Sequence, residues 1–143
     1  MLRTHGGAAT ATLVFSHLPM WPLTQGREHE IVDDPELLSL LHRNGVDVYA
    51  SGHHHAFFAG TDDAGMLHLA VGALGGNARA FSGQPEPQPY SFAVLNLAGG
   101  MVSVRAPAAP DFVEEVPAAG LPAVVEGPLG TLRRITGPVP LRP

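Results

Sequence analysis

The chain has 143 residues and a net charge of −5, with 45% hydrophobic and 15% charged residues. That balance excludes an acidic disordered polymer and supplies enough apolar content for one folded domain. It has no cysteine, which excludes a disulfide framework and a thiolate metal site, and its eight basic residues are all scattered arginines, which argues against a nucleic-acid-binding surface. No apolar run approaches the roughly 20 residues of a membrane-spanning helix, so no membrane span is expected. Two quantities are out of proportion: 17 glycines with 14 prolines, and eight histidines.

The opening MLRTHGGAAT is polar and glycine-rich and lacks the basic and apolar blocks of a signal peptide. Ala11–Ser16 (ATLVFS), an apolar run between glycine and proline, predicts a buried strand. Residues 17–33 carry Pro19, Pro22 and Gly26 and predict a long loop. Trp21 reads there as a packing anchor and Arg27 as solvated surface, the alternative being that they shape substrate access. Asp34-Pro35-Glu36 supplies an N-cap, a first-turn proline and an acid, and Asn44-Gly45 a stop. A helix over 34–44 follows, with Leu37, Leu38, Leu40 and Leu41 as its apolar face. Val46–Ser51 predicts the next strand, parallel to the first through the helix. Ala56–Gly60, Met66–Gly72, Tyr90–Leu97 and Met101–Ala106 predict four more short strands pairing consecutively as an antiparallel β-meander. The fold class is α/β with a mixed sheet. Residues 107–143 hold eight of the prolines and predict an extended or wrapping tail, in which Ala123–Val125 and Thr131–Ile135 could add an edge strand.

The histidines gather at two strand ends. Ser16-His17-Leu18-Pro19 follows the first strand and Gly52-His53-His54-His55 follows the second. Parallel strands bring both ends to the sheet edge where α/β proteins bind ligands, and histidine is the commonest ligand for zinc-like ions. In extended backbone His53 and His55 would project to one side and clasp one ion, or hold one each. His54 would point away. His5, His29, His42 and His68 have no spacing that implicates them.

The run Leu13-Val14-Phe15-Ser16-His17-Leu18-Pro19 resembles the strand–His-x-Pro motif of calcineurin-like metallophosphoesterases, and Tyr49-Ala50-Ser51-Gly52-His53-His54-His55 resembles their strand–Gly-His-x-His motif. The resemblance covers roughly residues 10–106. It implies a sandwich of mixed β-sheets flanked by helices, and a two-metal centre (Mn, Fe or Zn) at which a phosphomonoester or phosphodiester is hydrolysed. It makes His17 and His53 ligands of one metal and His55 a ligand of the other. The Asp-x-His, Gly-Asp and Gly-Asn-His motifs that carry the family's remaining ligands and its catalytic histidine do not occur in this sequence. Residues 1–106 are therefore expected to be the C-terminal part of such a domain, with an N-terminal half as partner and no significant activity of this chain alone. The alternative is a non-catalytic or degenerate module holding one metal on three histidines.

Overall fold

Three short strands run parallel and set the frame: β1 (Leu13–Ser16), β2 (Val48–Ser51) and β4 (Leu67–Ala70). They belong to a computed structural model that describes residues 11–142; residues 1–10, with His5, and Pro143 lie outside the described residues. β2 and β4 are mostly apolar, with Ser51 and His68 as their polar members, and are buried along their length, as strands flanked on both sides are. β1 lies at the sheet edge, and Phe15 on it is exposed. β3 (Phe58–Thr61) turns antiparallel onto β4 through the tight turn at Asp62–Gly65.

Between β1 and β2 the chain forms α1 (Pro35–Arg43), the one α-helix among the described residues. The Asp34 carboxylate accepts the backbone N–H groups of Glu36 and Leu37 at 2.9 and 3.0 Å, which satisfies donors that the first turn leaves open. Gly45, at φ +63°, reverses the chain beyond Asn44. Leu41 is buried and Leu37 and Leu38 partly so, whereas Leu40 is exposed. The helices expected to flank a sandwich are otherwise not seen among the described residues.

The four later runs do not make one meander. β3 and β4 stay in the main sheet, whereas β5 (Val94–Ala98) and β6 (Met101–Arg105) form a hairpin in a second sheet. The glycine- and proline-rich loop over residues 71–93 carries the chain across, tethered by bridges of Thr24 to Phe81 and of Ala80 to Pro87.

The larger difference lies in residues 107–142, read as a tail with edge strands possible at Ala123–Val125 and Thr131–Ile135: strands do form over those two segments, and they are an integral part of the main sheet. β7 (Val124–Gly127) and β8 (Gly130–Arg134) form a hairpin, and β8 pairs with β3, giving the main sheet the order β1-β2-β4-β3-β8-β7. β9 (Val139–Pro140) closes the second sheet on β6. The prolines punctuate this stretch at Pro117, Pro122, Pro128 and Pro138, so β7 and β8 each fit between two of them, whereas Pro140 lies within the short edge strand that follows. Leu132 is 1% exposed and joins the core of Trp21, Phe58, Phe81, Met66 and Leu69. Trp21 donates its indole N–H to the Gly130 carbonyl at 2.9 Å. A Cβ on Gly127 would lie 2.7 Å from Trp21 Cδ1, so the hairpin packs as it does because that residue has no side chain. Buried Asp47 ties the ends together: its carboxylate accepts the N–H of Thr12 at 2.7 Å and of Arg142 at 2.6 Å.

Leu132→Ala tests this assignment. A buried leucine in an integral strand costs about 2–5 kcal/mol on truncation to alanine, whereas a wrapping tail would lose less than about 0.5 kcal/mol. Urea denaturation followed by Trp21 fluorescence separates the two.

Candidate metal centre

The register decides which side chains meet. Ser16 pairs with Ser51 and Ser51 with Ala70, so the residues that follow all three strands emerge along one edge. The Gly52 N–H donates to the His17 carbonyl at 3.2 Å, which holds the two motifs side by side. Beyond Gly52 the backbone is not extended. His53 and His55 adopt φ of +61° and +54°, a left-handed conformation that histidine takes more readily than most residues but still at a cost. The reading of the two rings as an extended i, i+2 pair therefore fails, and they diverge.

His53 turns to His17. The ring centroids are 4.7 Å apart at 60°, and His53 Nδ1 lies 2.9 Å from His17 Nε2. On its other side, His53 Nε2 meets the Glu30 carboxylate in a short contact, and Arg27 Nη1 donates to both Glu30 oxygens at 2.7 Å. The Arg27 guanidinium, with His53 adding to it, holds the Glu30 carboxyl down at about 2. Ionised Glu30 is an acceptor only, so His53 donates from Nε2, and with a single ring proton it offers a lone pair at Nδ1. In that tautomer the His17–His53 bond runs from His17 Nε2–H to His53 Nδ1. Arg79 fixes the same turn by donating to the His53 carbonyl at 2.6 Å.

His54 faces inward, as expected of a residue outside the site. It is fully buried and donates from Nε2 to the Glu30 carbonyl at 3.0 Å, while its Nδ1 has no partner. Burial holds its pKa below the usual histidine value. His55 Nδ1 lies 2.8 Å from the Asn77 carbonyl oxygen, an acceptor that places the proton on Nδ1 and leaves Nε2 as the lone-pair nitrogen. Trp21 is the packing anchor described above, and Arg27 is half-exposed but committed to Glu30.

His17 and His53 thus come together, and His55 does not join them. Among the described residues no group of three or more His, Asp or Glu side chains is placed to hold a metal ion. Two imidazole nitrogens bound to one tetrahedral ion stand about 3.3 Å apart, close to the 2.9 Å between His53 Nδ1 and His17 Nε2. Among the described residues no free carboxylate is placed beside the pair to bridge a second ion. Glu30, the nearby carboxylate, is engaged by Arg27 and His53. Neither the part played by Glu30 nor its partner Arg27 was apparent in the sequence, where both sit in an aperiodic loop.

A second polar cluster lies apart from this edge. Asp62, in the β3–β4 turn, takes His42 Nε2 at 2.7 Å and His68 Nε2 at 3.0 Å on one oxygen. Its other oxygen accepts the backbone N–H groups of Ala64 and Met66. Burial pushes the Asp62 carboxyl up, but the bonds from His68 and His42 outweigh it and bring it to about 2. His68 is buried edge-on against Trp21 at 4.4 Å. Its burial lowers the pKa below 6.5 despite the attraction of Asp62.

The signs give a pH dependence. A histidine with a lowered folded pKa is stabilising above its unfolded value and loses that contribution as pH falls below about 6.5. Asp62 adds a second loss as pH falls from 3.8 towards about 2. The urea midpoint is expected to decline between pH 7 and pH 5, and the decline to be shallower in His68→Leu. A midpoint independent of pH over that range, in the unaltered chain, would contradict neutral burial of His68.

No protein-family model matches the chain, and no curated protein matches it. The resemblance to metallophosphoesterases thus rests on the two histidine motifs and the order of elements that carries them.

Proposed function

We propose that this chain supplies the histidine ligands of a metal-dependent phosphoric-ester hydrolase of the calcineurin-like kind, acting on a phosphomonoester or phosphodiester. The observation that carries the reading is the His17–His53 pair, 2.9 Å apart at the ends of two adjacent parallel strands, with a carboxylate behind His53. Histidine ligands in metal sites are commonly oriented this way, their second nitrogen donating to a carboxylate or carbonyl.

A bound divalent ion (Mn, Fe or Zn) would supply Lewis-acid polarisation of a phosphoryl oxygen and an acidified water. The chain's own part is to bind and orient. His53 presents Nδ1, Glu30 keeps the proton on Nε2, and Arg27 keeps Glu30 ionised. Ligation through His17 Nε2 requires that ring to carry its proton on Nδ1 instead, so the hydrogen bond between the two histidines and metal binding exclude one another. A complete two-metal centre further needs carboxylates from other polypeptide, the role expected of an N-terminal half.

A second reading is a single ion on three histidines without catalysis. The His55–Asn77 contact favours it, because a histidine donating Nδ1–H to a carbonyl has its Nε2 ready as a ligand.

Calorimetric titration with Zn²⁺ and Mn²⁺ tests both. The chain is expected to bind one ion, with a tenfold or larger loss of affinity in His17→Ala and His53→Ala. Loss in His55→Ala as well would favour the three-histidine reading. No binding at millimolar metal would refute the three-histidine reading, and binding indifferent to His17 and His53 would refute both. Hydrolysis of a chromogenic phosphomonoester by the chain alone is expected to stay at background.

A further inference from the structure

Away from the histidines, the two sheets part to leave a hollow of about 410 Å³ between β3, β6 and β8. The volume lies within the range of small-molecule sites, roughly 300–1,000 Å³. Its walls are chiefly apolar, with Phe57, Val104, Val116, Leu121 and Ile135 among them, and it is open to solvent at one side. Water in such a hollow finds few partners, so an apolar body that displaces it is favoured.

One cation faces this space. Arg134, at the end of β8, is half-buried, and its Nη1 donates to the carbonyls of Ala118 and Leu121. Arg27, Arg105 and Arg133 each have a carboxylate within ion-pair distance, but among the described residues Arg134 has none. With Nη1 committed to carbonyls, the Nε and Nη2 edge of the guanidinium, the edge that meets a carboxylate side-on, has no partner among the described residues. Glu115 also borders the hollow, and it accepts from Arg105 Nε at 2.7 Å in an exposed ion pair. Arg134 is therefore the one charged group of the lining without a partner of opposite charge among the described residues, set against apolar walls.

We propose that this hollow is a binding site for a small amphipathic carboxylate, whose hydrocarbon part lies against Val104, Val116, Leu121 and Ile135 and whose carboxylate pairs with Arg134. The site shares no residue with the histidine cluster and does not depend on the function proposed above.

The probe is 4-phenylbutyrate, with its neutral amide as the comparison, titrated into the full chain and followed by methyl NMR. Saturable shifts are expected at Val104, Leu121 and Ile135, with the amide at least tenfold weaker. Arg134→Gln is expected to abolish that preference, and Ser103→Phe, which fills the hollow, to abolish binding of both probes. Absence of saturable shifts at millimolar carboxylate would overturn the proposal. So would equal binding of acid and amide by the unaltered chain, a comparison that needs no variant to fold.

Discussion

The alignment of β1, β2 and β4 is the constraint on which the rest depends. Because Ser16, Ser51 and Ala70 stand in one row, the loops leaving the three strands share one edge. A one-residue slip would turn every strand side chain to the opposite face and would separate His17 from His53. Mostly apolar β2 and β4, buried on both faces, make that slip costly. The geometry of the histidine pair is thus fixed by leucines, valines and alanines in the strands as much as by the turns that bear the rings.

The elements with a strong local signal were legible in the sequence. The cap, first-turn proline and stop of α1 were, and so were the parallel β1–β2 pair and the meeting of His17 with the Gly-His-His-His turn. Local signals failed where the answer depended on partners far along the chain. The β7–β8 hairpin is proline-flanked and short, and only β3 and Trp21 make it part of the core. Likewise β5 and β6 read as a continuation of β3 and β4 because nothing local to Val94 states which sheet it joins. The diverging rings of His53 and His55 followed from two left-handed residues, which no periodicity argument anticipates. Glu30 and Asp62 were passed over because their significance lies in what folds against them.

Those two carboxylates make an instructive pair. Each is held in its ionised form by two basic side chains, yet the settings are opposite. Asp62 is buried and has both oxygens filled by His42, His68 and two backbone N–H groups, so it joins α1, β4 and the β3–β4 turn. Glu30 lies in an open loop with Arg27 on one side and His53 on the other, so its influence passes outward to the ring at the edge. Burial makes the first a structural tie, and access to solvent makes the second an orienting group.

Asp47 has a different consequence. Thr12 and Arg142 both rest on its carboxylate, at the ends of β1 and β2 remote from the histidines, so the described chain is almost a ring. A linker of a few residues could join those positions, and new termini could be opened at the Gly99–Gly100 turn between β5 and β6. Such a circular permutant would keep the order of strands in the main sheet while reversing which segments are synthesised first. It would show whether the parallel β1–β2 pairing needs to form before the hairpin of β7 and β8 arrives.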